Sequence, residues 1–281
     1  MRIVLARELR YRLSEVPKRT VDVATAHIKE YYFRYTDREL TMSPQIFFIH
    51  IEKTAGSSIV KSLIEPNVPN NRRVGTVRSY LKNRSADCAH GHSPHGFHRF
   101  TKRPVEYITM LRDPVDRAVS WYYFIKDLVR TDLWRRHPLR DYADSVTLVE
   151  FYQNPACSNI QARWMAGLYY HKAYPALHRS ALFQRKLLAV AKSNLDDCIA
   201  FGLQSEFDAS VRIFQETLGW ERYDPVPRQA KTKKRPSVSE IEELNPRVLP
   251  ALRASHVLDQ ELYDYAVQRF KERLRATPVA N

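Results

Sequence analysis

The chain has 281 residues, 44% hydrophobic and 27% charged, an ordinary globular balance that excludes a collagenous or wholly disordered polypeptide. Its 45 Lys and Arg against 31 Asp and Glu give 45 − 31 = +14, so anionic partners are expected: nucleic acid, anionic lipid, acidic glycan or a phosphorylated small molecule. No apolar run approaches the ~18 residues of a membrane helix, and Cys88, Cys157 and Cys198 are too few and too far apart for a disulfide framework or a zinc knuckle.

Residues 1–40 carry a helical pattern, with Leu5, Leu9, Leu13 and Val16 at spacings of four and three. Pro17 breaks it, and a second helix is expected over 21–35. Charges at Arg2, Arg7, Glu8 and Arg10 interrupt any signal-peptide core. The run 45–51, QIFFIHI, is apolar on both faces, as a strand of a helix-covered parallel sheet would be. A tight loop follows, and Ile59, Val60, Leu63 and Ile64 give the next segment a helical face. Residues 66–85 are polar and broken by Pro66, Pro69 and Gly75, and read as a loop with room for one helical turn.

Short strands are expected over 87–90 and Val105–Leu111. Asp113 then caps a helix with Pro114 in its first turn. Residues 131–145 read as irregular and 147–195 as mainly helical. A third good strand covers 198–203, and Ser205 would cap a helix over 206–218 that Gly219 stops. Residues 224–239 read as a loop holding the basic run Lys231-Thr-Lys-Lys-Arg235, and 255–275 as a final helix. Alternating strands and helices predict an α/β fold with a parallel, P-loop-like sheet flanked by helices. The expected division is a helical extension, 1–40, and one domain, 41–281.

Two motifs carry the chemistry. In the first, HIEKTAGSS (50–58), a buried strand feeds a loop and a helix N-terminus. Free backbone N–H groups and the helix dipole there favour a phosphate-like anion. Lys53 adds a cation; Thr54, Ser57 and Ser58 add hydroxyls. Lys53 precedes Gly56, and no glycine opens the loop, so the Walker A pattern is absent. In the second, LRDPVDRAVSWYY (111–123), Arg112 stands at the carboxyl end of a strand, where open α/β sheets bind ligands. Its guanidinium suits bidentate phosphate binding, with Ser120 nearby. Read separately, either motif is equally well an ordinary βα turn or an ion pair of Arg112 with Asp113 or Asp116.

Together, HIEKTAGSS and LRDPVDRAVSWYY resemble the sulfotransferases that use 3′-phosphoadenosine 5′-phosphosulfate (PAPS). The resemblance is to the Golgi-type carbohydrate branch, including the uronyl 2-O-sulfotransferases. It extends by motif order over roughly 45–272, through SNIQARWMAG (158–167) and FGLQSEF (201–207). It implies that Lys53, Thr54, Ala55, Gly56, Ser57 and Ser58 hold the 5′ phosphosulfate, and that Arg112 and Ser120 hold the 3′-phosphate. The run 231–235 resembles the late loop that closes over that phosphate. Glu52 stands where the family has Pro; a carboxylate there would repel the donor unless its side chain points away.

The cluster AHGHSPHGFH (89–98) supplies base candidates, and His90-Gly91-His92 resembles the family's catalytic HGH. An ordinary histidine, with a pKa near 6.5, is a neutral proton acceptor at pH 7. His92 is then the base and His90 its assistant. Structural histidines, or a metal site of His90, His92, His95 and His98, are the alternatives. Asn159, Gln161 and Arg163 are candidates for acceptor contacts, as are the aromatics Trp121–Phe124 and Trp164–Tyr170. The expected activity moves a sulfuryl group, without a metal, to a hydroxyl of a glycan, glycolipid or other acceptor. No nucleic acid or integral membrane segment is expected, a homodimer is left open, and the lack of a Golgi-type anchor points to a cytoplasmic, bacterial enzyme. The rivals are a basic nucleic-acid-binding protein, a P-loop kinase using ATP and magnesium, and a donor-binding protein that has lost catalysis.

Overall fold

The structure, a computed structural model, describes residues 43–127, 139–225 and 235–276. The helices expected within 1–40, and all of the basic run except Arg235, lie outside the described residues. Two compact units divide the chain: Met1–Ser43 with His98–Pro104, and Pro44–Phe97 with Val105–Asn281. The sheet and the site belong to the larger.

Strands β1 (Gln45–Ile49), β2 (Asn71–Arg73), β3 (Cys88–Gly91), β4 (Val105–Leu111) and β5 (Ala200–Leu203) form one parallel sheet, ordered β2-β3-β1-β4-β5. Phe47, Phe48 and Ile49 of β1 are wholly buried, so both faces of the central strand are covered. Each such side chain contributes about 1.5–3 kcal/mol of burial. This is the α/β architecture expected from the apolar runs.

The helices are α1 (Gly56–Ile59), which continues through a π turn (Val60–Ile64) into α2 (Glu65–Asn67), then α3 (Val77–Lys82) and α4 (Pro114–Asp127). After these come α5 (Arg140–Ser145), α6 (Leu148–Gln153), α7 (Ile160–Met165), α8 (Leu168–Leu177) and α9 (Ala181–Asp196). The last are α10 (Phe207–Leu218), α11 (Val238–Leu244), α12 (Val248–Ser255) and α13 (Val257–Ala276).

Four local expectations are corrected. Residues 66–85 hold β2 and α3 rather than a loop. β2 is an edge strand reading NRR, held by its ladder to β3 and not by apolar side chains, so no hydrophobic period marks it. α3 begins at a capping box of Thr76 and Ser79. Arg140–Ser145 is helical although charged, and the segment read as loop to 239 contains the start of α11, capped by Ser237 and Glu240. Ser205 caps nothing: a 3₁₀ turn, Gln204–Glu206, precedes α10, and the Ser205 hydroxyl lies 3.3 Å from that of Tyr263. Gly219 does end α10, at φ 64°. Asp113 caps α4, its Oδ1 accepting the Asp116 N–H at 2.9 Å.

Candidate active site at the carboxyl edge of the sheet

β1 is the sheet's centre, with β3 on one side and β4 on the other. The order of strand connection reverses across it, from β2 and β3 on one side to β4 and β5 on the other, and crevices open at the carboxyl ends of strands at such a switch point. His50–Ala55 leave β1, His92 leaves β3 and Arg112 leaves β4, all at that edge.

The β1 loop is built tightly. The His50 N–H donates to the Gly91 carbonyl at 3.0 Å, and the Thr54 hydroxyl donates to the Ile51 carbonyl at 2.8 Å. Thr54 therefore spends its hydroxyl proton on the loop itself. Lys53 (φ 66°) and Ala55 (φ 69°) both adopt the left-handed conformation. For residues with a Cβ this costs of order 1–2 kcal/mol each, and such strain clusters at functional sites. The Ala55 carbonyl accepts from the Ser58 N–H at 3.0 Å and the Ile59 N–H at 3.3 Å. The first-turn N–H groups of Gly56 and Ser57 have no intrahelical acceptor. At Gly56 a Cβ would lie 2.1 Å from the His50 ring, so only glycine lets that ring pack on the loop. Ser57 is exposed and Ser58 half-buried, and the Lys53 ammonium sits 4.1 Å from the Phe124 ring centroid on α4.

Arg112 joins this loop directly. Its NH1 donates to the Lys53 carbonyl at 2.9 Å, while Nε (2.7 Å) and NH2 both donate to Asp116 Oδ2. The other oxygen of Asp116 accepts from Arg235 at 3.1 Å. One carboxylate thus holds two guanidiniums beside the loop. Ser120 is buried one turn beyond Asp116, on the same face of α4. Glu52 is half-buried, and its charge acts on the buried Tyr152, whose phenol is raised first by burial.

The histidines separate by position. His90, on β3, donates from Nε2 to Asn71 Oδ1 of β2 at 3.3 Å. Burial, with Arg73 and His92 nearby, lowers it to about 4. His92 lies past the end of β3, with Nδ1 2.8 Å from the His50 carbonyl and its ring centroid 4.6 Å from that of His50. A carbonyl only accepts, so Nδ1 carries the proton and Nε2 of the neutral ring keeps its lone pair. Gly91 between them has no room for a side chain: a Cβ would stand 1.8 Å from the Val74 carbonyl oxygen. His95 is buried against Tyr107, its main-chain N–H donating to the Trp164 carbonyl, and His98 falls in the other compact unit. Among the described residues no three or more His, Cys, Asp or Glu gather as metal ligands.

His50 escaped the sequence reading; its place next to the loop on a buried strand was the available signal. Burial first, then His92, His90, Arg73 and Lys53, push it down to about 3. His256 at the start of α13 is fully buried and likewise lowered to about 3 by burial, then Arg117. These rings are neutral when folded but bind a proton below about pH 6.5 when unfolded. Their stabilising contribution is whole above that pH and is lost as pH falls toward 3. His256 alone should cost roughly 2 kcal/mol at pH 5. Urea midpoints at pH 7.5 and 5 check this, and equal midpoints would contradict the burial.

The residues proposed for the acceptor behave differently. Asn159, Gln161 and Arg163 are buried, as are Trp121, Tyr122 and Trp164. Arg163 NH1 donates to the carbonyls of Pro155, Ala156 and Ser158, an internal brace rather than a surface contact.

Residues 39–266 match the model of a family described as "Sulfotransferase family". The chain is 26% identical over 313 residues to heparan-sulfate 6-O-sulfotransferase 1-B of Danio rerio, across 88% of this chain and 72% of the relative. It is 27% identical over 307 residues to heparan-sulfate 6-O-sulfotransferase 1 of Gallus gallus, across 85% and 71%. The Homo sapiens heparan-sulfate 6-O-sulfotransferase 1 is 26% identical over 312 residues, across 87% and 71%. These relatives are 6-O-sulfotransferases by name, whereas the resemblance noted from the motifs included the uronyl 2-O-sulfotransferases.

Proposed function

We propose, for a chain that belongs to the sulfotransferase family and is a sulfotransferase, that the donor is PAPS, the acceptor a carbohydrate hydroxyl, and the base His92. One observation carries this reading: the 2.9 Å bond from the Arg112 guanidinium to the Lys53 carbonyl, which makes two separated motifs one cationic cradle. The residues suit a nucleotide with phosphates at both ends. Lys53 and the first-turn N–H groups face one charge, and Arg112, with Ser120 on the neighbouring face of α4, the other. PAPS supplies an activated sulfuryl group. Lys53, with Ser57 or Ser58, stabilises negative charge at the loop as it grows, and this differential contact lowers the barrier.

His92 holds its proton on Nδ1, against His50, and takes the acceptor's proton at Nε2. His90, tied to Asn71 of β2, assists by position. The 6-O-sulfotransferases named above support a glycan acceptor. Cys88, Cys157 and Cys198 are buried thiols, and burial pushes Cys88 and Cys198 up to about 12. That supports a reducing, cytoplasmic setting. No described helix is long and apolar enough to cross a membrane.

A thermal-shift series with adenosine 3′,5′-bisphosphate, ADP and ATP, each with and without magnesium, tests the donor. Stabilisation by the bisphosphate above the others, indifferent to magnesium, is expected. Magnesium-dependent preference for ATP would return the site to a kinase.

A further inference from the structure

We propose that Gln161 is a positioning residue for the donor's 3′-phosphate, acting through the main chain of Arg112; this rests on the reading of Arg112 as the ligand of that phosphate. β4 pairs with β5 only as far as Leu111, and with β1 only as far as Thr109. Arg112 is the first residue beyond the ladder, so its N–H and C=O have lost their strand partners while its side chain must be aimed. Gln161 replaces the missing strand. Its Oε1 accepts the Arg112 N–H at 2.9 Å, and its Nε2 donates to the Arg112 carbonyl at 2.8 Å. A carboxamide offers a permanent acceptor and donor in that arrangement, where an ionised carboxylate offers acceptors alone.

Gln161 can aim Arg112 because it is itself immobilised. It is 1% exposed, on a six-residue helix too short to hold by itself. Helix α7 is pinned to α13 instead. Asp259 Oδ1 accepts the Ala162 N–H at 2.8 Å, and Asn159 Oδ1 accepts the Asp259 N–H at 3.0 Å. Asn159 Nδ2 also donates to the Tyr174 hydroxyl at 2.7 Å and the Ser255 carbonyl at 3.1 Å. The C-terminal helix is thereby linked to Arg112 through buried polar contacts, and the guanidinium is presented to Asp116 and to the Lys53 carbonyl. A bidentate contact is sensitive to shifts of about 1 Å in its base.

The test is isothermal titration of adenosine 3′,5′-bisphosphate and adenosine 5′-monophosphate into the wild type, Gln161→Met, Gln161→Glu, Arg112→Ala and the Arg112→Ala/Gln161→Met double variant. Met keeps the shape without the bonds; Glu keeps the acceptor and loses the donor. Wild type should prefer the bisphosphate. Both Gln161 variants should lose about tenfold of that preference, with 5′-monophosphate affinity little changed. Arg112→Ala should lose all of it, and adding Gln161→Met should cost no more, since the two act on one contact. No preference in the wild type would overturn the reading of Arg112 and the proposal with it. A preference lost in Arg112→Ala but intact in Gln161→Met would overturn the proposal alone. Should the Gln161 variants fail to fold, a crystal structure of the wild type with the bisphosphate decides. Both amide bonds to Arg112 retained, with the guanidinium on the 3′-phosphate, support it; their separation overturns it.

Discussion

Lys53→Ala is expected to reduce turnover at least about 10²–10³-fold, with the loss in kcat rather than in KM for the donor. The reasoning starts from the backbone. Lys53 is held at φ 66°, in a loop whose neighbour Ala55 is also left-handed, and its carbonyl is fastened by Arg112. The backbone that carries the side chain is thus fixed, and the ammonium itself rests 4.1 Å from the Phe124 ring centroid. A preorganised cation contributes most where charge develops, which in sulfuryl transfer is the leaving phosphate. Lys53→Arg tests position against charge: it keeps the cation but moves it, so partial activity should return. Steady-state kinetics with varied donor separate the outcomes. A raised KM with unchanged kcat would make Lys53 a binding residue only.

His92→Ala should lower kcat by about 10²–10⁴-fold while leaving affinity for adenosine 3′,5′-bisphosphate intact. The structure distinguishes His92 from His90, which the shared HGH pattern does not. His90 sits within β3 with its Nε2 on the edge strand. His92 lies beyond the strand end, against His50, whose ring packs on the Gly56 loop. Its Nδ1 bond to the His50 carbonyl selects the tautomer with a lone pair on Nε2. His90→Ala should therefore cost far less than His92→Ala. The opposite ranking, or an unchanged rate in His92→Ala, would remove His92 from the mechanism. His92→Asn is a useful companion, since it can keep the bond to the His50 carbonyl without supplying a base.

Both variants test side chains that local pattern could nominate, and the reason is physical. Buried parallel strands must be apolar on both faces, so β1 and β4 stand out in the sequence, and the polar residues that end them stand out by contrast. Lys53 and Arg112 were legible for that reason. β2 was not, because NRR is held by main-chain bonds that leave no trace in composition. α7 misled in another way. SNIQARWM looks like a polar helix face available to a ligand, yet Gln161 and Arg163 are 1% and 2% exposed. Their polarity serves carbonyls and main-chain groups at the end of the sheet, and sequence spacing does not distinguish an internal acceptor from an external one.

The sequence by itself determined the parallel α/β class, the loop that gathers N–H groups and a cation, and the arginine after β4. Each depends on neighbours within a few residues, where periodicity and backbone chemistry act. The tertiary structure decided which of these meet. The strand order places β1 between β3 and β4, and so brings His92, Lys53 and Arg112 to one edge although Lys53 and Arg112 are separated by 59 residues. It also assigned Asp116 to both Arg112 and Arg235, and Gln161 to the Arg112 main chain. Those pairings follow from which elements pack together, and strand order is set by the burial of the whole sheet rather than by any one segment.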